Sequence, residues 1–442
     1  MDGAAYRERA PNSSMNYALI NAGCLAIVAL LLFWLWRRTR DTWSCANILS
    51  GCFGLTVLGS QVWYELIESP FAPTPETVLL LYAGWIAFLV GMAITARRRL
   101  SQPMRVARIT PVNPRLAVPA LVALMVAHLA YTFAVIRSVG LIGIFNAGQF
   151  GVIESFASNR LIAGNTESLT KVGWYLEAWH IAYVYYVPLA LYLYRQRHLS
   201  KKLLLFVFGF AGVLSLAMFS RVHLLMLLIF GLAAWTVLFR PSGWKILRTA
   251  GPLLFAAMAL FIGMQSVLAR VDFNSKTLLT DELATYAVGS AASFQELLNG
   301  NYHQANPHGA LYVGEGIYYV LGKLSLLKAE EYPIGYRMFV FVPHPSNVYT
   351  FLDAFALDFG TVGIILGPFV MGVGMAWVYN RVRVRTTYAL VLLYGLCVYS
   401  CAVANLANFL FTPAVPIFLG IAFLLQPLVS ARKRPAALMS RT

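Results

Sequence analysis

Long apolar runs separated by short polar segments are the main pattern along this chain. Several runs exceed about 18 residues, the length at which an α-helix can cross the hydrocarbon core of a bilayer. The pattern therefore predicts an all-α polytopic integral membrane protein, with residues 1–442 as a single transmembrane domain. We place about eleven transmembrane helices, near 16–36, 44–66, 77–96, 116–136, 174–194, 203–219, 222–238, 250–268, 360–379, 388–405 and 413–429.

Basic residues alternate from side to side along these predicted spans. Clusters of Arg and Lys follow the odd-numbered spans, and Asp41 is the one acid that we place on the same side. Because cytoplasmic loops carry the excess of Lys and Arg, this side is predicted to be cytoplasmic. The N-terminus is then expected outside and the C-terminus inside.

Composition agrees with a membrane protein, since 59% of the residues are hydrophobic and 12% are charged. The net charge of +16 comes from short clusters between apolar spans, which favours a topology signal over nucleic-acid binding. No zinc, P-loop or dinucleotide motif occurs, and the five cysteines form no CxxC pair. We therefore expect the lipid bilayer as a partner, and no nucleic acid, metal or cofactor.

Two long external loops are predicted, the first over 137–173 and the second over 269–359. Within the second loop, 278–298 has the pattern of an amphipathic helix lying on the membrane surface. The later segment 347–360 is apolar enough to dip into the membrane or to begin the ninth span early. The glycines that follow are spaced for close helix packing, at 360, 363, 367, 372 and 374.

Arg221 stands between two apolar segments of the run 203–238, which is the right length for a tight helical hairpin with its turn at Ser220–Arg221. An arginine there is a functional candidate, because a charge in the membrane requires compensation. Arginine binds phosphate or pyrophosphate oxygens in a bidentate manner. The alternative is ion pairing with loop acids and contact with lipid head groups. Five external arginines share these possibilities: Arg137, Arg160, Arg221, Arg270 and Arg337.

Titratable residues on the external side are candidates for a general base. We consider Glu154, Asp358 and His344 for this catalytic role. The alternative for Asp358 is a structural one, as a helix cap at the turn formed by Gly360. The alternative for His344, as for other loop histidines, is a simple polar contact.

Three segments carry a family resemblance: SRVHLLMLL at 220–228, YAVGSAASF at 286–294 and NVYTFLDAFALDFGTVGIILGPFVMGVG at 347–374. FNAGQFG at 145–151 and YELIESPFAP at 64–73 are similar in kind. With them, most of the chain resembles in order and topology the oligosaccharide repeat-unit polymerases of the Wzy type. This family includes the O-antigen and enterobacterial common antigen polymerases.

The resemblance implies a GT-C-like fold in the bacterial inner membrane. It implies polymerisation of undecaprenyl-pyrophosphate-linked repeat units by a metal-independent glycosyltransferase at the periplasmic face. The external arginines would then hold the pyrophosphate, and Glu154, Asp358 or His344 would act as the base. A chain-length regulator and a flippase are the protein partners that it implies.

Two other functions fit part of the pattern. An O-antigen ligase would transfer the lipid-linked glycan to the lipid A core, and it shares a long arginine-rich external loop. A polysaccharide or lipid transporter would show inverted repeats and broken helices at mid-membrane. The ionisable residues of this chain gather instead towards the predicted outer face, which favours an enzyme.

Overall fold

The structure of the protein is a computed structural model that describes residues 11–39, 41, 44–66, 72–96, 108–139, 179–217, 221–249, 251–252, 288–301, 311–328, 340–342, 345–346, 349–412 and 414–430. Twelve helices among these residues carry the architecture. They are α1 (Pro11–Thr39), α2 (Cys45–Leu66), α3 (Pro75–Thr95), α4 (Pro114–Val139), α5 (Tyr183–Arg195), α6 (Lys201–Ala217), α7 (Arg221–Phe239), α8 (Ser290–Leu298), α9 (Glu315–Lys323), α10 (Asp353–Val384), α11 (Tyr388–Ala402) and α12 (Ala414–Val429). Four two-residue strands accompany them: β1 (Arg108–Ile109), β2 (Val340–Phe341), β3 (Pro345–Ser346) and β4 (Arg385–Thr386).

The chain is a mostly helical membrane protein. Ten of the eleven predicted spans coincide with a described helix, and the eighth, 250–268, lies outside the described residues except for 251–252. Helices α11 and α12 are shorter apolar helices of 15 and 16 residues. Six described helices contain a segment long and apolar enough to cross a membrane: Leu19–Thr39, Cys45–Trp63, Pro75–Thr95, Pro114–Ala134, Val222–Phe239 and Asp353–Val384.

Helices α3 and α10 approach each other closely because glycine occupies their contact. A Cβ at Gly372 would overlap the carbonyl oxygen of Phe88, and a Cβ at Gly91 would overlap that of Phe369. Lipid tails give helices no hydrophobic reason to associate, so small residues that allow close backbone contact stabilise such pairs. The packing role predicted for Gly372 is confirmed, whereas Gly374 on the same helix has no atom within 4 Å of its Cβ position.

Helix α10 doubles back on itself at Gly360, which has φ 58° and ψ −143°. A Cβ at Gly363 would overlap the carbonyl oxygen of Phe355, and one at Gly367 would overlap the Phe355 ring. Residues eight positions apart in a straight helix would be about 12 Å apart. The first two turns of α10 therefore fold against the following turns, and only glycine at 363 and 367 leaves room for them.

Helix α5 is the centre of the bundle. Every residue from Tyr183 to Leu193 is buried. Pro188 interrupts the hydrogen-bond ladder of the helix, because proline has no backbone N–H. The hydroxyl of Tyr388 donates to the carbonyl oxygen of Tyr185 at 2.9 Å. In a membrane interior without water, this side chain from α11 satisfies a backbone group beside the proline.

The basic ends of the helices meet at one end of the bundle, which we call the basic end. Hydrogen bonds and ion pairs join all six connections that the charge pattern places on one side. These contacts are Arg383 Nη1 with Asp41 Oδ2, Arg240 Nη2 with Arg383 O, Asn380 Nδ2 with Thr95 O, Val112 N with Gln196 Oε1, and Asn113 N with Val429 O. The parallel pair β1–β4 adds to them. The connections that follow the odd-numbered predicted spans therefore lie together at one end of the bundle.

Helix α8 differs from the surface helix expected over 278–298. Its described part is buried from Ser290 to Leu297 with Glu296 as the partly exposed exception, and it packs against α2, α3 and α10. Residues 278–287 lie outside the described part of the chain. A hydrophobic pattern of period 3.6 is compatible with either location, so tertiary contacts decide between them.

Candidate functional site

The end of the bundle opposite the basic end contains non-helical backbone between helices. The N–H of Phe351 donates to Ala404 O at 2.8 Å, and the N–H of Tyr349 donates to Leu406 O at 3.2 Å. Asn408 Nδ2 donates to the carbonyl oxygen of Phe351 at 2.8 Å. These bonds satisfy polar groups in two non-helical segments, 349–352 and 403–408, that lie next to α10, α11 and α12. Irregular backbone buried within a membrane protein requires such protein partners.

Hydrogen bonds of Asp358 join the second predicted loop to the folded-back part of α10. Its Oδ1 accepts a hydrogen bond from the N–H of Tyr312 at 2.7 Å, and its Oδ2 accepts one from the N–H of Val313 at 2.8 Å. Tyr312 and Val313 open the short 3-10 helix that leads into α9. The carboxylate therefore caps the start of a helix, which is the kind of structural role that the sequence suggested. The capped helix, however, is the 3-10 helix before α9 and not the turn at Gly360.

Two of the segments that carry the family resemblance pack together at this end. Ala292 and Leu297 of α8 form a small buried cluster with Val340, Val342 and Tyr349. The described parts of these segments, 288–294 and 349–357, thus lie against each other, although more than 50 residues separate them in sequence. The pattern of residues within each segment does not predict that the two segments pack together.

Most of the predicted site residues fall outside the described part of the chain. Arg221 is the first residue of α7, and Arg137 lies in the last turn of α4. For both residues the structure describes the backbone but not the side chain. Helices α6 and α7 form the predicted hairpin, since Gly231 lies against the ring of Phe208. The remaining predicted site residues, outside the described residues, are Glu154, Arg160, Arg270, Arg337 and His344.

Three histidines from three elements meet inside the bundle near the start of α7: His128 of α4, His180 before α5 and His223 of α7. We call them the histidine cluster. The rings of His180 and His223 have centroids 5.7 Å apart. The ring of Tyr183 lies 5.8 Å from that of His223 and 5.4 Å from that of His128, and so connects them. His128 and His223 are buried, and His180 is partly exposed.

The buried His128 has a described hydrogen bond at one of its two ring nitrogens. His128 Nδ1 shares a hydrogen bond of 3.0 Å with the hydroxyl of Tyr186, while its Nε2 has no partner in the described structure. One turn along α4, the buried hydroxyl of Thr132 has no described partner either. An unsatisfied buried polar atom costs about 1–3 kcal/mol.

The sequence contains a signal for the histidine cluster that the search for loop residues missed. His128, His180 and His223 lie within predicted spans four, five and seven, and each lies in the outer half of its span. Ionisable residues within transmembrane segments are functional candidates. Which spans are neighbours, however, depends on long-range packing, so the meeting of the three rings was not predictable from their positions.

The described side chains of this end offer hydrogen-bond donors and acceptors and protonatable rings. No group of three or more His, Cys, Asp or Glu residues placed to hold a metal ion occurs among the described residues. Comparison of the chain with protein-family models, with curated proteins and with solved structures returned no match.

Proposed function

We propose that this chain polymerises undecaprenyl-pyrophosphate-linked oligosaccharide repeat units into a surface polysaccharide. The observation that carries the proposal is the packing of 288–294 against 349–357 at the end of the bundle opposite the basic end. Both belong to segments that carry the family resemblance. A shared location is what segments of one active site require. The proposal includes a GT-C-like arrangement of eleven spans with two long periplasmic loops.

The orientation follows from the basic end. Since Lys and Arg accumulate on the cytoplasmic side of membrane proteins, we place the basic end in the cytoplasm and the opposite end at the periplasmic face of the bacterial inner membrane. The N-terminus is then periplasmic and the C-terminus cytoplasmic. Undecaprenyl-pyrophosphate-linked glycans would reach the site from the outer leaflet after a flippase has moved them across.

Glycosyl transfer of this kind develops negative charge on the departing pyrophosphate. Fixed cations near that charge lower the barrier because they require no reorganisation during the reaction. We assign this role to Arg221 at the start of α7, with Arg137, Arg160, Arg270 and Arg337 as further candidates. The N-terminus of α7 supports it, because the first backbone N–H groups of a helix point towards an approaching anion.

A base must accept the proton of the acceptor hydroxyl. Glu154 and His344 remain the candidates, together with Asp358. The two hydrogen bonds from Tyr312 and Val313 give Asp358 a positioning role in this scheme. Asp358 would hold the residues around α9 near the folded-back part of α10. The proposal also includes a chain-length regulator as a separate protein partner.

Deletion of the gene in its host, followed by analysis of lipid-linked glycans, tests the proposal. A polymerase deletion leaves single repeat units on the carrier or the core and removes long chains. Retention of polymer on the carrier, with no transfer to the lipid A core, would identify an O-antigen ligase instead. Loss of all glycan from the periplasmic face would identify a transporter. Complementation with the wild-type chain is the control.

A further inference from the structure

Four tryptophan side chains are exposed among the residues that the structure describes, and all four belong to the basic end. They are Trp34 and Trp36 of α1, Trp244 of the connection after α7, and Trp377 of α10. Four positions after these tryptophans the sequence has Arg38, Arg40, Arg248 and Arg381. None of the six other tryptophans of the chain is followed by arginine at this spacing. Exposed tryptophan and arginine are therefore placed together at this end.

In two of these cases the arginine stacks on the tryptophan one helical turn before it. Cζ of Arg38 lies 4.6 Å from the ring centroid of Trp34, and Cζ of Arg381 lies 5.2 Å from the ring centroid of Trp377. A cation within about 6 Å of an aromatic ring is attracted by its quadrupole. A stacked guanidinium keeps its in-plane N–H donors for another partner. We call these two contacts the tryptophan–arginine pairs.

The charge of the tryptophan–arginine pairs is not neutralised by the chain itself. Neither Arg38 nor Arg381 has an ion-pair partner among the described contacts. Asp41 is the one acid at the basic end within the described part of the chain, and it pairs with Arg383 at 3.3 Å. In the sequence, the other connections at this end contain no Asp or Glu. An anion that compensates the two pairs must therefore come from another molecule.

The helix face that continues from each pair is apolar and exposed. Ile27 and Leu30 precede Trp34 on α1 at helical spacing, and Leu366 and Val370 precede Trp377 on α10 in the same way. An occupant that matches this surface has an anionic group at the arginine and apolar chains along the helix. A phospholipid has both parts, whereas a nucleic acid or an acidic protein segment offers the charge without the chains.

We propose that the tryptophan–arginine pairs bind anionic phospholipids of the adjoining leaflet, with the phosphodiester at Arg38 or Arg381 and the acyl chains along the apolar helix face. The forked donors of arginine suit two phosphate oxygens. The tryptophan ring, apolar with one polar N–H, is suited to the level of the head groups. This inference concerns the end of the bundle opposite the candidate site and does not rest on the proposed function.

Native mass spectrometry of the full-length protein in a neutral detergent measures bound lipid directly. The protein is titrated with dioleoylphosphatidylglycerol, which is anionic, and with dioleoylphosphatidylcholine, which has the same acyl chains and no net charge. We expect phosphatidylglycerol to bind about fivefold more tightly, because a basic residue attracts an anionic lipid and the ammonium group of phosphatidylcholine opposes the guanidinium. Inorganic phosphate has the charge without the chains and is expected not to displace the lipid.

Variants of the pairs assign the preference to their residues. The double variant Arg38→Gln/Arg381→Gln is expected to bind phosphatidylglycerol about fivefold more weakly than the wild type. Trp377→Leu keeps an apolar side chain but removes the stacking ring, and it should lower the affinity by less. Lys201→Gln is the matched control, because Lys201 is an exposed cation at the basic end with no tryptophan at this spacing.

Two results would overturn the inference. One is equal affinity of the wild-type protein for the two lipids. The other is equal affinity for phosphatidylglycerol in the double variant and in Lys201→Gln, which would show only a general effect of charge. Displacement of the lipid by inorganic phosphate would likewise replace the phospholipid with a soluble anion. If the double variant does not fold, Arg381→Gln alone takes its place, because the side chain of Arg381 is exposed.

Discussion

The guanidinium of Arg383 lies 3.3 Å from the carboxylate of Asp41, and this ion pair joins α10 to the connection between α1 and α2. The hydroxyl of Tyr379 donates to the same carboxylate oxygen at 2.6 Å, and Arg383 Nη1 also donates to that hydroxyl. Arg240 adds a hydrogen bond to the carbonyl oxygen of Arg383. Burial lowers the pKa of Arg240 from its usual value, and the neighbouring charge of Arg383 adds to the effect. Asp41 thus offsets positive charge where several basic helix ends converge.

Replacement of Asp41 by Asn is expected to destabilise the protein by about 1–3 kcal/mol, because Arg383 loses a charged partner in a partly buried site. The measurement is the midpoint of thermal unfolding in detergent. Glu76→Gln is the control, because Glu76 is an exposed acid at the start of α3, away from the basic end. Equal midpoints for the two variants would show that the ion pair does not hold the helix ends together.

The close contact of α3 and α10 predicts opposite effects for two glycines of the same helix. Gly372→Ala is expected to destabilise by about 1–3 kcal/mol, since its Cβ overlaps the Phe88 carbonyl oxygen. Gly374→Ala, with open space around its Cβ, is expected to stabilise by about 0.5–1 kcal/mol through helix propensity. Thermal unfolding of both variants measures the difference. A loss of stability in Gly374→Ala as large as in Gly372→Ala would contradict the packing.

Asp358→Asn separates a positioning role from a catalytic one. Asn retains one acceptor oxygen but directs its NH2 group towards a backbone N–H, so one of the two bonds to Tyr312 and Val313 is lost. We expect faster proteolytic cleavage within 311–328 together with partial loss of polymerisation. Glu296→Gln is the control, because that acid of α8 bonds only a nearby asparagine among the described contacts. Complete loss of activity with unchanged proteolysis would instead favour Asp358 as the base.

Arg221→Lys keeps the charge at the start of α7 and removes the forked donor geometry. If Arg221 binds a pyrophosphate in a bidentate manner, polymerisation is expected to fall about tenfold or more. Quantification of glycan chain length in the complemented deletion strain provides the measurement, and Arg221→Ala should be at least as defective. Normal chain length in Arg221→Lys excludes bidentate binding by this residue.

Chemical labelling tests the orientation of the bundle. Cysteine introduced at His198 lies at the basic end, and cysteine introduced at Asn301 lies beyond α8 at the opposite end; both positions are exposed. A membrane-impermeant maleimide added to spheroplasts is expected to label Asn301→Cys and to spare His198→Cys until the membrane is permeabilised. The reverse result would place the basic end outside.

Sequence patterns predicted the long apolar helices well because each of these is encoded locally. An apolar run of membrane-spanning length forms a helix in any packing arrangement, and the charge clusters place its ends on one side. The basic end illustrates this, since contacts such as Arg383–Asp41 join the connections that the charge pattern grouped. The close approach at Gly372 was also visible, because small residues recur at packing intervals.

Features that depend on contacts between distant segments were not predictable in the same way. The burial of α8, the reversal at Gly360 and the capping of another helix by Asp358 all depend on which surfaces meet. The histidine cluster is the clearest case: each ring was visible in a predicted span, but its contacts come from other elements, as between His180 and His223 or between His128 and Tyr183. Amphipathic pattern and residue type leave such choices open.

Helix α5 has a consequence for how the protein is assembled. It is synthesised before α7 and α11, which later enclose it, and until then its tyrosines at 183, 185, 186 and 192 must face lipid or the insertion machinery. A helix of 13 residues with five tyrosine hydroxyl groups and a proline is poorly suited to remain alone in a bilayer. Its stable position is therefore reached only after α11 has been made, which makes the completion of this membrane protein a late and cooperative event.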